Sequence, residues 1–518
     1  MSVAMQKSFS LSLCVLQTIF VVGCNSTTPI TYAFTDQKNN ENYVPWVPRA
    51  YKDQSFSDKQ TISSLKNNDV IQTDPKFPKI KDKWWEEFKS PELNDLVETA
   101  ITKNLDLQIA ITRIDQAEKN ANIAKSYLMP TIGIFAGETT SGPALGAGTA
   151  TSQANYNNLN VYEFGFRATY EVDLWNKLHY QKNSAFELLK ASKENRDTVA
   201  LSLISDVVST YFEILSLSER ISIANKNLKI ANDVKQAIKT RLNSGEATEL
   251  ELQQQEVTIV LVENAIANFE LQEQTAKNHL AILLGTSVDN IHVNDVTLQG
   301  ISPPKIQLGI PSDLLCRRPD IRLVEYQLKS SNEDVKAARA NLLPTFSLTD
   351  EYGQASQNLT QIMSPYSLLY SFSVNAFATV FDGGKLVNQL DLAKAKNKEL
   401  LIQYSNTIIN ALRDVQDALA GVRITSIERK QLEKALDKTK NLLKLSTLVY
   451  QSGAMDYVSL QVVQRDVFNS QDAEAKSRFD QLRSTVNLFK ALGGGLSPSK
   501  EDCLNTNSSS INKVSMGQ

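Results

Sequence analysis

The second half of the chain repeats the first. Residues 124–131, AKSYLMPT, match residues 338–345, ARANLLPT, at an offset of 214, and NKL at 176–178 matches GKL at 384–386 at an offset of 208. The stretch between these two motifs is therefore six residues longer in the first copy than in the second. A length difference of this kind is typical of a surface loop. Two copies of one structural unit must build the fold together.

Each copy contains an unusually long uninterrupted helical pattern. Residues 178–244 contain neither glycine nor proline, and as one α-helix they would extend roughly 100 Å. In the second copy, apolar residues step by four and three as in a coiled-coil seam; they are Ile408, Leu412, Val415, Leu419 and Val422. Gly245, followed by a capping box at Thr248 and Glu251, predicts a turn and a return helix. We therefore expect two long antiparallel helical hairpins, with tips at Gly245 and Gly453.

Four short segments alternate apolar and polar residues, which predicts half-buried strands. They lie near residues 131–140, 160–172, 345–354 and 368–380. Each is about long enough to cross a bilayer when tilted, but four strands cannot close a barrel and open edges are not tolerated in lipid. If they span a membrane, several protomers must pool them, and three protomers would give twelve strands. A soluble sheet that caps the helices is the alternative, and the alternation alone leaves both arrangements open.

The composition offers little material for catalysis or nucleic-acid binding. Lys and Arg total 54 against 57 Asp and Glu, for a net charge of -3 and a pI of about 5.9, so no global attraction to phosphate backbones exists. The three histidines, His179, His279 and His292, have no metal-ligand spacing. The chain has no G-x-S-x-G elbow and no P-loop lysine. We therefore expect no enzyme activity, no catalytic residue, no cofactor and no metal site.

The N-terminus has the layout of an export signal. Residues 1–23 carry Lys7 and an apolar stretch, and the sequence VVGC that ends at Cys24 resembles a bacterial lipobox. Cleavage before Cys24 would leave this residue lipidated as a membrane anchor. The alternative is an ordinary secretory signal with a coincidental cysteine, because polar residues interrupt the apolar stretch. Residues 24–80 are polar and predict a tether with an irregular strap, and residues 496–518 predict a disordered tail.

Further motifs occur in a distinctive order between Lys83 and Gly495. They are WW at 84–85 leading to PEL at 91–93, NLDL at 104–107, YEVDLW at 170–175, GIPSDLL at 309–315 running into RRPDIR at 317–322, FDGG at 381–384 and LFKALGGG at 488–495. Together with the repeat and the lipobox, these motifs make the sequence resemble the TolC-like outer-membrane efflux channels, specifically the lipid-anchored OprM-type branch.

This resemblance implies a mainly α-helical fold with a membrane β-barrel. The first repeat would span residues 81–300, with long helices over 176–284, and the second residues 301–495, with long helices over 385–492. A homotrimer would share a twelve-stranded barrel in the outer membrane, continued by a helical tunnel into the periplasm. The trimer would be a passive exit duct that works with a periplasmic adaptor and an inner-membrane pump. The motifs favour a proton-driven pump, and the pump rather than the channel would select the exported molecule.

The resemblance also assigns roles to residues near the hairpin tips. The adaptor-contacting positions would be Arg241, Gly245, Thr248 and Leu250 at the first tip, and Tyr450, Gly453, Tyr457 and Leu460 at the second. Helix capping and hairpin packing are their alternative roles. Leu460 and Val462 are gate candidates. Members of this branch commonly carry an aspartate where Val462 stands, so a ring of three valines would gate by apolar packing or dewetting.

Two questions stay open at the level of the sequence. Cys316 and Cys503 either form a disulfide after export or remain free thiols. A periplasmic coiled-coil lipoprotein with a structural or adhesion role is the alternative function, because it would keep the hairpins and require only that the alternating segments be soluble.

Overall fold

The computed structural model describes residues 71–72, 83–141, 159–288, 293, 298–304, 306–307 and 317–495. All of them belong to one compact unit, Arg49–Gln518. The predicted signal peptide, Cys24, Cys316, Cys503 and the predicted C-terminal tail lie outside the described residues, as does most of the predicted tether.

Two helices precede the first strand, and each begins at a side-chain cap. Helix α1 (Pro91–Lys103) begins after Ser90, whose hydroxyl accepts a hydrogen bond from the Leu93 amide, and helix α2 (Leu105–Ser126) begins after Asn104, whose side chain accepts from the Leu107 amide. These bonds satisfy amides that a helix start leaves without partners. In the described part of the second repeat, helix α5 (Pro319–Ala340) corresponds to α2. Helices α2 and α5 both contain 22 residues and start at the offset of 214 seen in the sequence.

The long helices form two hairpins of nearly equal size. The first hairpin consists of α3 (Lys177–Asn243) and α4 (Glu249–Leu284), and the second of α6 (Lys385–Gln451) and α7 (Tyr457–Ala491). Both α3 and α6 contain 67 residues, α4 contains 36 and α7 contains 35. Helix α3 packs against α4 and also against α7, so the two hairpins of one chain lie side by side.

The four strands β2 (Thr131–Ser141), β3 (Leu159–Val172), β5 (Thr345–Ser356) and β6 (Leu368–Phe377) form one antiparallel sheet in that order. Strands β3 and β5 pair across the two repeats. Within the described part of the chain, β2 and β6 are edge strands with one open side each. Strand β6 ends three residues before the predicted boundary, because Phe377 pairs with Thr345, the first residue of β5, and the following residues have no partner on that strand.

The two faces of the sheet differ in polarity. The cross-strand register aligns Ile134, Phe166, Tyr352 and Tyr370 in one exposed row across all four strands. On the opposite face, Arg167 Nε lies 2.6 Å from Glu351 Oε1. Strand residues alternate between faces, so one face is mostly apolar and the other mostly polar.

The main core surrounds the middle of α3, over residues 203–217. Trp84, Trp85 and Phe88 lie on a short 3₁₀ helix (Trp84–Phe88) and pack against Phe212 of α3 and Phe489 of α7. The rings of Trp84 and Phe489 stack with centroids 4.9 Å apart. This aromatic cluster connects the N-terminal segment to both hairpins.

A second, small sheet was not expected from the sequence. Strand β1 (Ile71–Gln72) lies in the segment predicted to be an irregular tether and pairs in parallel with β4 (Ile306–Gln307), near the start of the second repeat. Two residues are too few to produce a periodic signal, which is why the pattern did not reveal this strand.

Among the helices that the structure describes, α3 alone is long and apolar enough to cross a membrane, with an 18-residue window of mean hydropathy 1.4. Of this window, 61% is buried inside the protein. The burial indicates a core helix, since the apolar side chains already contact other helices.

Candidate functional site

The two hairpin tips have the same backbone geometry. Gly245 and Gly453 both have φ of +78°, and no atom lies within 4 Å of a side chain built at either position. At the first tip, the Glu246 amide donates to the Arg241 carbonyl over 2.8 Å, and the Ala454 amide donates to the Val449 carbonyl over 3.1 Å at the second. This left-handed C-cap favours glycine, because other residues are strained at positive φ.

The return helices start at side-chain caps. Thr248 accepts a hydrogen bond from the Glu251 amide, and Asp456 accepts one from the Ser459 amide over 2.8 Å. Two hydrogen bonds from Ser459, its amide and its hydroxyl, lower the pKa of the Asp456 carboxyl. The tips are therefore short, well-formed turns that expose their backbone to solvent.

Hydrogen bonds join the two tips to each other. Arg241 Nη1 donates to the Tyr450 hydroxyl over 2.5 Å, and Arg241 Nη2 donates to the Glu246 carbonyl over 3.1 Å. The Tyr457 hydroxyl donates to Gln255 Oε1, and Gln461 Nε2 donates to the Gln254 carbonyl over 3.1 Å. Each of these links except the one to Glu246 connects the first hairpin to the second. We call this group the tip clasp: Arg241, Gln255, Tyr450, Tyr457 and Gln461.

The tip clasp has a buried centre. Gln255 is fully buried, and its Nε2 donates to the Ala231 carbonyl over 2.6 Å. Tyr457 packs against Ile238 and Leu252 and is 4% exposed. Burial, with Tyr450 and Glu251 nearby, raises the pKa of Tyr457, so its hydroxyl stays protonated and donates to Gln255.

The eight predicted tip residues fall into three groups. Gly245, Thr248, Leu250 and Gly453 are exposed, with 66% of Leu250 in contact with solvent, whereas Tyr457 and Leu460 are buried between helices. Arg241 and Tyr450 contact each other in the tip clasp. Val462 is 41% exposed and lines a cavity of about 750 Å³ between the hairpins.

The sequence pattern did not identify the two glutamines of the tip clasp. Gln255 occupies a position of the apolar stripe that the buried face of α4 follows, between Leu252 and Ile259. A polar residue at such a position is the signal that could have identified it, because buried polar groups require partners.

Ion pairs join the hairpins farther from the tips. Arg220 of α3 makes two hydrogen bonds to Asp472 of α7, of 2.6 and 3.0 Å. Arg478 of α7 reaches Glu219 of α3 over 3.0 Å and Glu474 over 2.7 Å. Bidentate arginine–carboxylate pairs have fixed geometry, so this part of the helical region is firmly connected. Within the described residues, no group of three or more His, Cys, Asp or Glu could hold a metal ion.

The comparisons with known proteins agree with this architecture. The sequence profile described as "Outer membrane efflux protein" matches residues 96–286 and 310–494. The chain belongs to the outer membrane efflux protein family. Members are channel components of efflux systems, form trimers in the outer membrane, and work with a periplasmic adaptor and an inner-membrane pump.

Two relatives and one solved structure illustrate the similarity. The pyoverdine export outer membrane protein OpmQ of Pseudomonas putida is 33% identical over 416 residues, which cover 80% of this chain and 88% of OpmQ. The probable outer membrane lipoprotein SilC of Salmonella typhimurium is 27% identical over 94% of this chain and 99% of its own. The outer-membrane channel OprN, at 24% identity, has a TM-score of 0.76 over 82% of this chain and 95% of its own.

The family confirms the predicted fold class and the channel function. Three chains of an outer membrane efflux protein pool four strands each, so the exposed edges of β2 and β6 find partners in neighbouring chains. The alternating segments are therefore barrel strands rather than a soluble cap. A structural or adhesion lipoprotein without a channel is not supported.

Proposed function

We propose that this outer-membrane efflux channel is a passive exit duct whose periplasmic end is kept closed by the tip clasp. The hydrogen bonds between the two hairpins of each chain support this proposal, because parting the tips would break them. The adaptor opens the duct by binding the parted arrangement more tightly than the joined one, since a partner shifts an equilibrium only through differential affinity.

The adaptor contacts the tips in this proposal. Gly245, Thr248, Leu250 and Gly453 are exposed and can be contacted without rearrangement. Arg241, Tyr450, Tyr457 and Leu460 face other parts of the tips and become available to the adaptor as the hairpins separate. The exposed leucine beside a glycine turn offers an apolar anchor.

Leu460 and Val462 are the proposed gate. Both lie in the first two turns of α7 after the second tip, and Val462 is partly exposed. Because valine carries no charge, three copies of Val462 would narrow the duct by apolar packing, and opening would admit water.

The anchor and the energy source complete the proposal. Residues 1–23 direct export and Cys24 carries lipid, as the lipoprotein name of SilC supports for a relative. The pump is of the proton-driven type, in keeping with the OprM-type motifs. The chain contributes conduction and no catalysis.

Site-specific crosslinking tests the adaptor contacts. A photoreactive amino acid at Leu250 should crosslink to the adaptor in intact cells, whereas one at Leu271, on the same helix and also 66% exposed, should not, because it lies about 30 Å from the first position. Arg241→Glu should weaken this crosslink without loss of the trimer. Equal crosslinking at both positions, or loss of the trimer in Arg241→Glu, would contradict the proposal.

Native mass spectrometry of the membrane-extracted protein tests the anchor. We expect a trimer whose chains begin at Cys24 and carry acyl mass, and we expect Cys24→Ser to lose that mass but retain the trimer. An unlipidated wild-type trimer would remove the anchor and leave the channel.

A further inference from the structure

A cavity of about 750 Å³ lies between the two hairpins. Residues from all four long helices line it, including Ile230 of α3, Leu261 of α4, Leu443 of α6 and Phe468 of α7. Its size is within the range of pockets that hold small organic ligands. The cavity is separate from the tip clasp apart from Gln461, which lines it.

The charged residues of this cavity are all cationic. Lys226 of α3, Lys440 of α6 and Arg465 of α7 line it, and no aspartate or glutamate does. None of the three forms an ion pair with another residue in the part of the chain that the structure describes. Three positive charges from three separate helices thus line one concave surface of a chain whose net charge is -3.

Some other cations on the same helices are paired. Arg220 on α3 bonds Asp472, Lys235 on α3 lies 2.8 Å from Glu256, and Arg478 on α7 bonds two glutamates. Lys229 of α3 and Lys438 of α6 also have no ion pair among the described residues, so the cavity cations are distinguished by their place on a concave surface. A concave surface with one sign of charge raises the local concentration of oppositely charged ligands.

The remaining lining is apolar or neutral polar. Ile230, Val257, Leu261 and Val462 are exposed apolar side chains of the cavity, and Asn227, Gln464 and Gln471 add amide groups. A ligand that satisfies both parts of the lining must combine an apolar body with an anionic head group. Burial of apolar surface and ion pairing with the cations contribute separately to the free energy of binding.

We propose that this cavity is a binding site for amphiphilic organic anions, compounds with a carboxylate or sulfonate group on an apolar body. The anionic group is placed among Lys226, Lys440 and Arg465, and the apolar body contacts the aliphatic side chains. The site would concentrate such anions beside the helices that form the duct. Binding can be measured without transport, so its failure is distinguishable from failure of the proposed channel gating.

The test uses the full-length trimer in nanodiscs and isothermal titration calorimetry. The probe is naphthalene-2-sulfonate, and the comparison ligand is 2-naphthol, which has the same ring system and no charge at pH 7. We expect the sulfonate to bind at least about tenfold more tightly than the naphthol and to weaken as salt is raised, because the cations are exposed. Equal affinity of the two ligands, or no sulfonate binding, would overturn the proposal.

Matched variants locate the site. The triple variant Lys226→Gln, Lys440→Gln, Arg465→Gln should weaken sulfonate binding by about tenfold or more. The control triple Lys229→Gln, Lys438→Gln, Arg483→Gln removes the same charge from the same three helices at positions that do not line the cavity, and it should bind as the wild type does. Equal losses in both triples would mean that overall charge attracts the ligand, and the site would be wrong.

A single substitution gives an independent test. Val462→Asp adds a carboxylate to the cavity and should weaken sulfonate binding, whereas Val462→Asn, of the same shape without the charge, should weaken it far less. Equal effects of the two substitutions would contradict an electrostatic site. The triple variant of Lys226, Lys440 and Arg465 can also be combined with the photoreactive residue at position 250. If this variant binds the sulfonate normally but no longer crosslinks to the adaptor, the cations serve adaptor docking and the proposal fails.

Discussion

The substitution Tyr457→Phe should remove a hydrogen bond of the tip clasp and leave the packing around it unchanged. The ring would keep its contacts with Ile238 and Leu252, while Gln255 would lose the hydrogen bond to its Oε1. Gln255 is fully buried, so this oxygen would have no water to replace the hydroxyl. An unsatisfied buried acceptor costs about 1 to 3 kcal/mol, which corresponds to roughly a 5- to 150-fold shift toward parted tips.

Single-channel recording in planar bilayers measures this shift. The variant trimer should open more often than the wild type at the same voltage, because the joined arrangement is destabilised and the parted one is not. The barrel is unchanged, so the heat-resistant trimer on a gel should persist.

Tyr450→Phe is the matched control. Its hydroxyl accepts from Arg241, but the guanidinium is partly exposed and can turn to water, so the loss should be at most about 1 kcal/mol. The expected order of open probability is therefore Tyr457→Phe, then Tyr450→Phe, then wild type. The reasoning would be refuted if Tyr457→Phe gated like the wild type, or if Tyr450→Phe had the larger effect.

Two further predictions concern assembly and stability. Gly165→Ala should prevent the barrel from forming, because its Cβ would lie 2.5 Å from the Tyr352 carbonyl oxygen, whereas Gly133→Ala, with no atom within 4 Å, should assemble normally; a gel of heat-modifiable trimers reads both. Phe489→Ala should lower the free energy of unfolding by about 3 to 5 kcal/mol because it empties the aromatic cluster around Trp84, and thermal denaturation that matches the wild type would contradict this.

Much of the architecture could be predicted from the sequence because its signals are local. The offset of 214 relates α2 to α5 and the offset of 208 relates α3 to α6, residue for residue at both ends. The glycine turns and helix caps at the tips are also local, since each depends on a few adjacent residues.

The tip clasp and the cationic cavity could not be predicted in the same way. Tyr457 and Gln255 are 202 residues apart in sequence, and their meeting depends on how two hairpins pack side by side. Lys226, Lys440 and Arg465 each look like an ordinary solvated residue on its own helix. Only the packing of the helices brings such residues together, and no short-range pattern records it.

The matched lengths of the hairpins restrict how the length of the channel can change. Helices α3 and α6 have the same number of residues, and α4 and α7 differ by one. Inserting one turn into α3 alone would move its tip by about 5.4 Å relative to its neighbour. Evolution of a longer or shorter duct therefore requires coordinated changes in four helices of one gene. After an uncompensated change in length, a partner that contacts all six tips of a trimer would meet some tips at a different height from the others.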